Sequence, residues 1–115
     1  MLEIETEFRH GIFFIRLIGS LTKKTVKILN DNVTNLILEN GFRNVVFNIE
    51  KLDYIDIKGI NTLLYNYEIT RNNHGKLMMC GINNEKIRKK ITHSRLLKYI
   101  NEINDELVAL QTVSV

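Results

Sequence analysis

Proline and tryptophan are missing from this chain, and cysteine occurs once, as Cys80. With no second thiol an intrachain disulfide cannot form, so stability has to come from a packed core, which 115 residues are enough to build. A single thiol suits a reducing compartment, and a cytoplasmic location is the expectation. No apolar run approaches the roughly 20 residues of a membrane-spanning helix, so no membrane insertion is expected. Met1 to Gly11 is too polar and too regularly alternating for a secretion signal. His10, His74 and His93 are not at metal-ligand spacing and have no further cysteines to join them, which argues against a metal site. A phosphate-cradling glycine loop and a Gly-x-Ser-x-Gly elbow are absent as well. Cys80 sits in an apolar stretch and reads as a small core residue rather than a nucleophile. The sequence therefore suggests neither a catalytic set nor a cofactor.

What is present is ordinary for a globular protein: 44% hydrophobic and 25% charged residues, read as a single domain over 1–115. The net charge of +3 comes from 16 basic residues interspersed with 13 acidic ones. Lys86, Arg88, Lys89, Lys90, Arg95 and Lys98 form a basic cluster, best read as the solvated face of a helix. No aromatic residues interleave there to stack on bases, so no direct nucleic-acid partner is expected.

Alternation opens the chain. Leu2, Ile4, Thr6 and Phe8 fall on one side of a strand, with Glu3, Glu5, Glu7 and Arg9 on the other. His10-Gly11 supplies a turn into the more apolar strand Ile12 to Ile18, making a hairpin. From Thr22 or Lys23 to Asn40 the period becomes helical through Val26, Leu29, Val33, Leu36 and Ile37, and Asn40-Gly41 stops it. Asn44 to Ile49 reads as a central strand, followed by a tight turn and a helix from about Ile57 to Asn72. Ile60, Leu63, Leu64 and Tyr67 form that helix's sheet-facing stripe. Lys76 to Ile82 reads as a strand, and Asn83 or Asn84 caps a third helix carrying Ile87 and Ile91. Leu96 to Ile100 reads as a short last strand, and Asn104 or Asp105 caps a C-terminal helix with Leu107, Val108 and Leu110. The order β-β-α-β-α-β-α-β-α predicts an α/β fold with a mixed, mostly parallel sheet flanked by helices.

That order, together with Gly19-Ser20-Leu21, Asp56-x-x-Gly59 and Gly75-x-Leu77 ahead of a strand, resembles the STAS domains of the anti-sigma factor antagonist family along essentially the whole chain. In that family the helix entrance reads Asp-Ser-Ser-Gly, and the second Ser is phosphorylated by a kinase that doubles as the anti-sigma factor. Here the stretch is Asp56-Ile57-Lys58-Gly59. Lys58 thus occupies the phosphoacceptor-equivalent position and cannot be phosphorylated as a serine. Thr22 stands where the family usually has an acidic residue.

The resemblance implies a bacterial regulator of transcription that acts by partner switching. Its partner would be an anti-sigma factor, in the family an ATP-binding serine kinase. Two other roles fit a member without the phosphorylatable serine: a scaffold or accessory subunit of a regulatory or transport complex, and a module for a small ligand or lipid. A homodimer is left open.

Asp56 by itself is explained as a helix cap. Gly59 would permit another chain or a ligand to approach the helix entrance, or would equally serve packing. At 100° per residue, Lys58, Thr62, Tyr65 and Ile69 share a stripe opposite the sheet-facing side, with Thr62 read as exposed. The expected partner-binding set is therefore Asp56, Lys58, Gly59, Thr62, Tyr65 and Ile69, with Tyr65 as its anchor.

Overall fold

The computed structural model describes residues 1–113. Strands β1 (Leu2–Arg9) and β2 (Ile12–Leu21) form an antiparallel hairpin, with Arg9 opposite Ile12. Its two-residue turn places both His10 (φ +52°) and Gly11 (φ +79°) in the left-handed region, as the twist of a tight hairpin requires. β3 (Asn44–Ile55), β4 (Lys76–Cys80) and β5 (Asn101–Glu102) then add in parallel, giving the order β1-β2-β3-β4-β5. The helices between them are α1 (Val26–Leu29, a π-helical turn Asn30–Thr34, then Asn35–Asn40), α2 (Ile57–Asn72) and α3 (Glu85–Ser94). A last helix, α4 (Glu106–Thr112), follows β5. The predicted mixed sheet with four helices is what the chain forms.

Strand alternation sorts the core into two parts. Phe13, Ile15 and Leu17 of β2 with Val45, Phe47 and Ile49 of β3 face one way and pack with residues of α1, α2 and α3, among them Leu29, Val33, Ile37, Leu63 and Ile91. Ile12, Phe14, Val46, Met78 and Cys80 face the other way, and the buried residue α4 gives them is Ala109. One face thus carries three helices and the other a single short one.

Five sequence expectations need correction. β3 does not stop at Ile49: it runs to Ile55, where Lys51 to Ile55 still pair with Ile18 to Leu21, and no turn separates strand from helix. The charges at Glu50, Lys51 and Asp53 look like a turn, yet Leu52 and Ile55 are buried among them, at a three-residue spacing that goes with the register shifts in the β2–β3 pairing. Leu96 to Ile100 is not a strand. It forms a 3₁₀ turn at Leu96–Lys98, entered through Arg95 at φ +65°, and buries Leu96 and Ile100; the strand follows at Asn101.

The first helix begins at Val26, after a turn over Thr22 to Thr25 in which the Thr25 and Val26 N–H groups donate to the Thr22 carbonyl. Its π-helical turn also defeats a uniform 3.6-residue count, because the wider turn rotates the residues after it about the helix axis. Val33, Thr34 and Ile37 are buried while Leu36 is left 38% exposed. Finally, Leu107 of α4 is exposed rather than packed.

Candidate partner-binding surface at the entrance of helix α2

The strand-to-helix junction turns on one residue. Asp56 has extended backbone (ψ −178°), so the chain leaves β3 straight and enters α2 at the next residue. Its Oδ1 accepts the Gly59 N–H (2.9 Å), and its Oδ2 accepts the Lys23 N–H (2.9 Å) from the turn before α1. The Asp56 N–H donates to the Leu21 carbonyl (3.2 Å). One carboxylate therefore caps α2 and ties the start of α1 to it. Burial pushes the Asp56 carboxyl up, but the N–H groups of Lys23, Gly59 and Lys58 and the charge of Lys90 outweigh this and hold it below the usual range.

Gly59 does not leave room for a partner. A Cβ there would lie 2.3 Å from the Leu21 carbonyl oxygen and 3.0 Å from Ile55 Cγ1, so the close approach that glycine permits is between α2 and the end of β2. The expected stripe divides in the same way. Lys58 and Tyr65 are exposed, whereas Thr62 and Ile69 are buried at 8% and 7% exposure. Thr62 is covered because α1 lies against it, its hydroxyl 3.3 Å from Asn30 Oδ1 in the π-helical turn.

That turn carries a polar set that the apolar periodicity did not reveal. The Thr34 hydroxyl lies between Asn66 Oδ1 (3.0 Å) and Asn30 Oδ1 (3.2 Å). Asn66 Nδ2 donates to the Thr62 carbonyl (2.7 Å), and the Thr70 hydroxyl to the Asn66 carbonyl (2.7 Å). Asn66 and Thr70 are fully buried, and no buried side-chain polar atom among the described residues lacks a partner. The sequence did hold a signal: Thr62, Asn66 and Thr70 recur every four residues on a helix otherwise facing a core.

Around the junction stand cations and apolar side chains. Lys90 of α3 donates its Nζ to the Ile55 carbonyl (3.0 Å) and sits 4.1 Å from the centre of the Tyr54 ring. Ile57, the first residue of α2, is 61% exposed. A groove of about 390 Å³ lies here, lined by Asp56, Ile57, Ile60, Lys90, His93 and Ser94. The hydroxyl groups nearby are already engaged, Thr22 Oγ1 by the Lys24 N–H (3.2 Å) and Thr62 by Asn30. What this arrangement offers is an exposed edge on α2, with its entrance fastened to β2 and to the turn before α1.

The STAS domain model matches residues 3–109 of the chain. The chain belongs to the STAS domain family. Its fold is that of solved relatives. It superposes on the anti-sigma factor antagonist SpoIIAA in its unphosphorylated form with a TM-score of 0.74 at 18% identity, over 98% of this chain and 97% of that one. On an anti-sigma factor antagonist from Mycobacterium paratuberculosis the TM-score is 0.81 at 17% identity, over 98% and 94%. In sequence, this STAS domain is 26% identical over 117 residues to the anti-sigma F factor antagonist of Paenibacillus polymyxa, covering 98% of each. No helix among the described residues is long and apolar enough to cross a membrane.

Proposed function

We propose that this STAS domain is an anti-sigma factor antagonist that works by binding its partner without a serine phosphorylation switch. The observation that carries the reading is the end-to-end match, over 98% of both chains, to an anti-sigma F factor antagonist. The mechanism is competitive: the exposed edge of α2 occupies an anti-sigma factor, and the sigma factor that factor held is released. Lys58 and Tyr65 are the residues of the expected set that such a partner can reach. Asp56, Gly59, Thr62 and Ile69 serve the contact indirectly, by holding α2 against β2 and α1.

Independence from phosphorylation follows from the residues of the first turn of α2. Ile57 and Lys58 have no hydroxyl, and that of the buried Thr62 is turned to Asn30. A constitutive antagonist would be set by its amount rather than by modification.

The test is binding to the anti-sigma factors encoded in the same genome, by calorimetry, with the unmodified chain and with Tyr65→Ala and Lys58→Glu. The expected result is a complex that Tyr65→Ala weakens by upwards of about 1 kcal/mol, with thermal unfolding hardly changed. If the partner is an ATP-binding kinase, mass spectrometry after incubation with ATP is expected to show no added phosphate. Normal binding by both variants would remove the α2 edge from the proposal, and stoichiometric phosphate on Thr22 or Thr62 would mean that the switch had moved.

A further inference from the structure

The short last strand leaves a notch in the border of the sheet. β5 pairs with Met78 and Met79 of β4, so Lys76 and Leu77, which pair with Asn44 and Val45 of β3 on one side, have no strand on the other. The end of α2 and the residues just ahead of β5 wall this notch. A cavity of about 410 Å³ lies in it, lined by Tyr67 and Arg71 of α2, Lys76 and Leu77 of β4, and Tyr99 and Asn101. Gly75 completes the lining, and the backbone there is fixed before anything binds. The Gly75 N–H donates to the Thr70 carbonyl (2.8 Å), the Lys76 N–H donates to the Arg43 carbonyl (2.7 Å), and a Cβ on Gly75 would lie 2.7 Å from the Phe42 carbonyl oxygen.

The lining holds two cations and no acid. Arg16 and Arg88 are clamped to carboxylates, but among the described residues neither Arg71 nor Lys76 has a carboxylate within 4.0 Å. Glu102, which follows Asn101, is engaged by Arg88. Nor does either cation lie over a ring, as Lys90 lies over Tyr54. Taken alone, Arg71 suits the carbonyl end of α2 and Lys76 the exposed start of a strand. Those explanations leave out the two rings beside them. Tyr67 and Tyr99 meet at 6.0 Å and 52°, a tilted pair that does not stack and leaves Tyr99 56% exposed.

Each part of the lining excludes a class of ligand. Two cations without an acid repel an amine. A bare inorganic anion would meet the charges and leave the rings in water, and a neutral ring would do the opposite. A polyanion needs a longer track of cations than two. We propose that the notch between α2 and β5 binds a small organic anion with a flat ring, an aromatic carboxylate or phosphate, its acid group taken by Arg71 and Lys76 and its ring laid against Tyr99 and Leu77. The planar fork of Arg71 matches an acid with two oxygens, and the cavity has the volume of a small-molecule site. Arg71 stands about 21 Å along the helix axis from Ile57, and Tyr67 and Arg71 are turned by about 120° or more from Tyr65 around it. The site is thus separate from the α2 edge and does not rest on the regulator reading.

The probes are benzoate and phenyl phosphate, titrated into isotope-labelled protein and followed by amide NMR. Acetate, inorganic phosphate and benzylamine are run beside them, the last keeping the ring and reversing the charge. Saturable shifts are expected at Arg71, Lys76, Leu77 and Asn101 with the two ring-bearing anions, at concentrations roughly tenfold below those that acetate and phosphate require, and none with benzylamine. Arg71→Gln and Lys76→Gln should each weaken binding roughly tenfold, the size of a close charge pair. Tyr99→Leu should bring phenyl phosphate to the level of phosphate. Because that change also breaks the pair with Tyr67, Tyr99→Phe is made as well and should bind as the parent does. Lys86→Gln removes an exposed cation of α3 and should change nothing.

Shifts that map elsewhere, equal affinity for anions with and without a ring, shifts from benzylamine at the same amides, or normal binding by Arg71→Gln and Lys76→Gln would overturn the proposal. The two readings fail separately. An anti-sigma factor that binds and loses affinity on Tyr65→Ala keeps the regulator whatever the notch does, and an aromatic acid that maps to the notch keeps this site even where no anti-sigma factor binds.

Discussion

Asp56 shows how much one side chain can hold. It caps α2 at Gly59, receives the Lys23 N–H from the turn before α1, and follows directly on the last residue of β3. Asp56→Ala is expected to cost about 1 to 2 kcal/mol of unfolding free energy, the upper range for a lost N-cap, measured by urea titration at neutral pH. Because the fold holds this carboxyl below its ordinary value, the stability it lends is fully present above the unfolded value of about 3.9 and disappears as pH falls through the folded value. The difference between parent and Asp56→Ala should therefore shrink on acidification, and a gap that stays constant to low pH would contradict the assignment. Gly59→Ala addresses the neighbouring constraint. Its added methyl meets the Leu21 carbonyl, and a loss of roughly 1 to 3 kcal/mol is expected from the same titration.

Among the elements, α1 and α4 are held by polar contacts rather than by apolar area alone. In α1 the π-helical turn brings Asn30 and Thr34 to Asn66. Asn66→Ala would remove the side-chain donor to the Thr62 carbonyl and leave the Thr34 hydroxyl with Asn30 Oδ1 alone. A loss of about 1 to 3 kcal/mol is expected, with faster amide exchange in the Asn30–Thr34 turn. In α4 the corresponding group is Glu106. Arg16 donates its Nε (2.8 Å) and Nη2 (2.7 Å) to the two carboxylate oxygens, and Asn48 Nδ2 adds a third bond at 2.9 Å. The hydrogen bonds from Arg16 hold the Glu106 carboxyl low against the opposing effect of burial.

Cys80 lies in the small core that includes Ala109 of α4, its thiol pushed up to about 12 chiefly by burial. Glu106→Ala should loosen α4, speed exchange of its amides and raise the rate at which a thiol reagent labels Cys80. Unchanged exchange and labelling would show that Ala109 and its apolar neighbours hold the helix without the clamp. These polar contacts also mark where sequence reading stops. Sequence pattern was enough for the order of elements, the hairpin turn at His10-Gly11 and the cap at Asp56, while the structure chose Asn84 over Asn83 and Asp105 over Asn104. It could not give the length of β3, because charges within a strand look like a turn. Nor could it show that Thr62 and Ile69 are covered, because an angular plot of α2 has no knowledge of α1. Lys58 and Tyr65 were legible as exposed positions, whereas Lys90 joins them only through the folding of α3 over the end of β3.

For the whole molecule, charge and sheet geometry bear on association. A contact that relies on the exposed Lys58 should weaken steadily as salt shortens the Debye length from about 10 Å at 0.1 M to about 3 Å at 1 M, whereas one anchored only by Tyr65 should not. Partner affinity across a salt series separates the two. The sheet, for its part, ends in β1, whose free edge belongs to a strand carrying Glu3, Glu5, Glu7 and Arg9, and in β5, which is two residues long. Charged or very short border strands make poor templates for another chain's backbone. A titrating regulator has a particular need for this. If copies were drawn into strand-paired stacks, the number available to the partner would lag behind the number synthesised, and the response to gene dosage would flatten. If the proposed titrating role holds, borders this poorly suited to pairing would keep supply and effect in proportion.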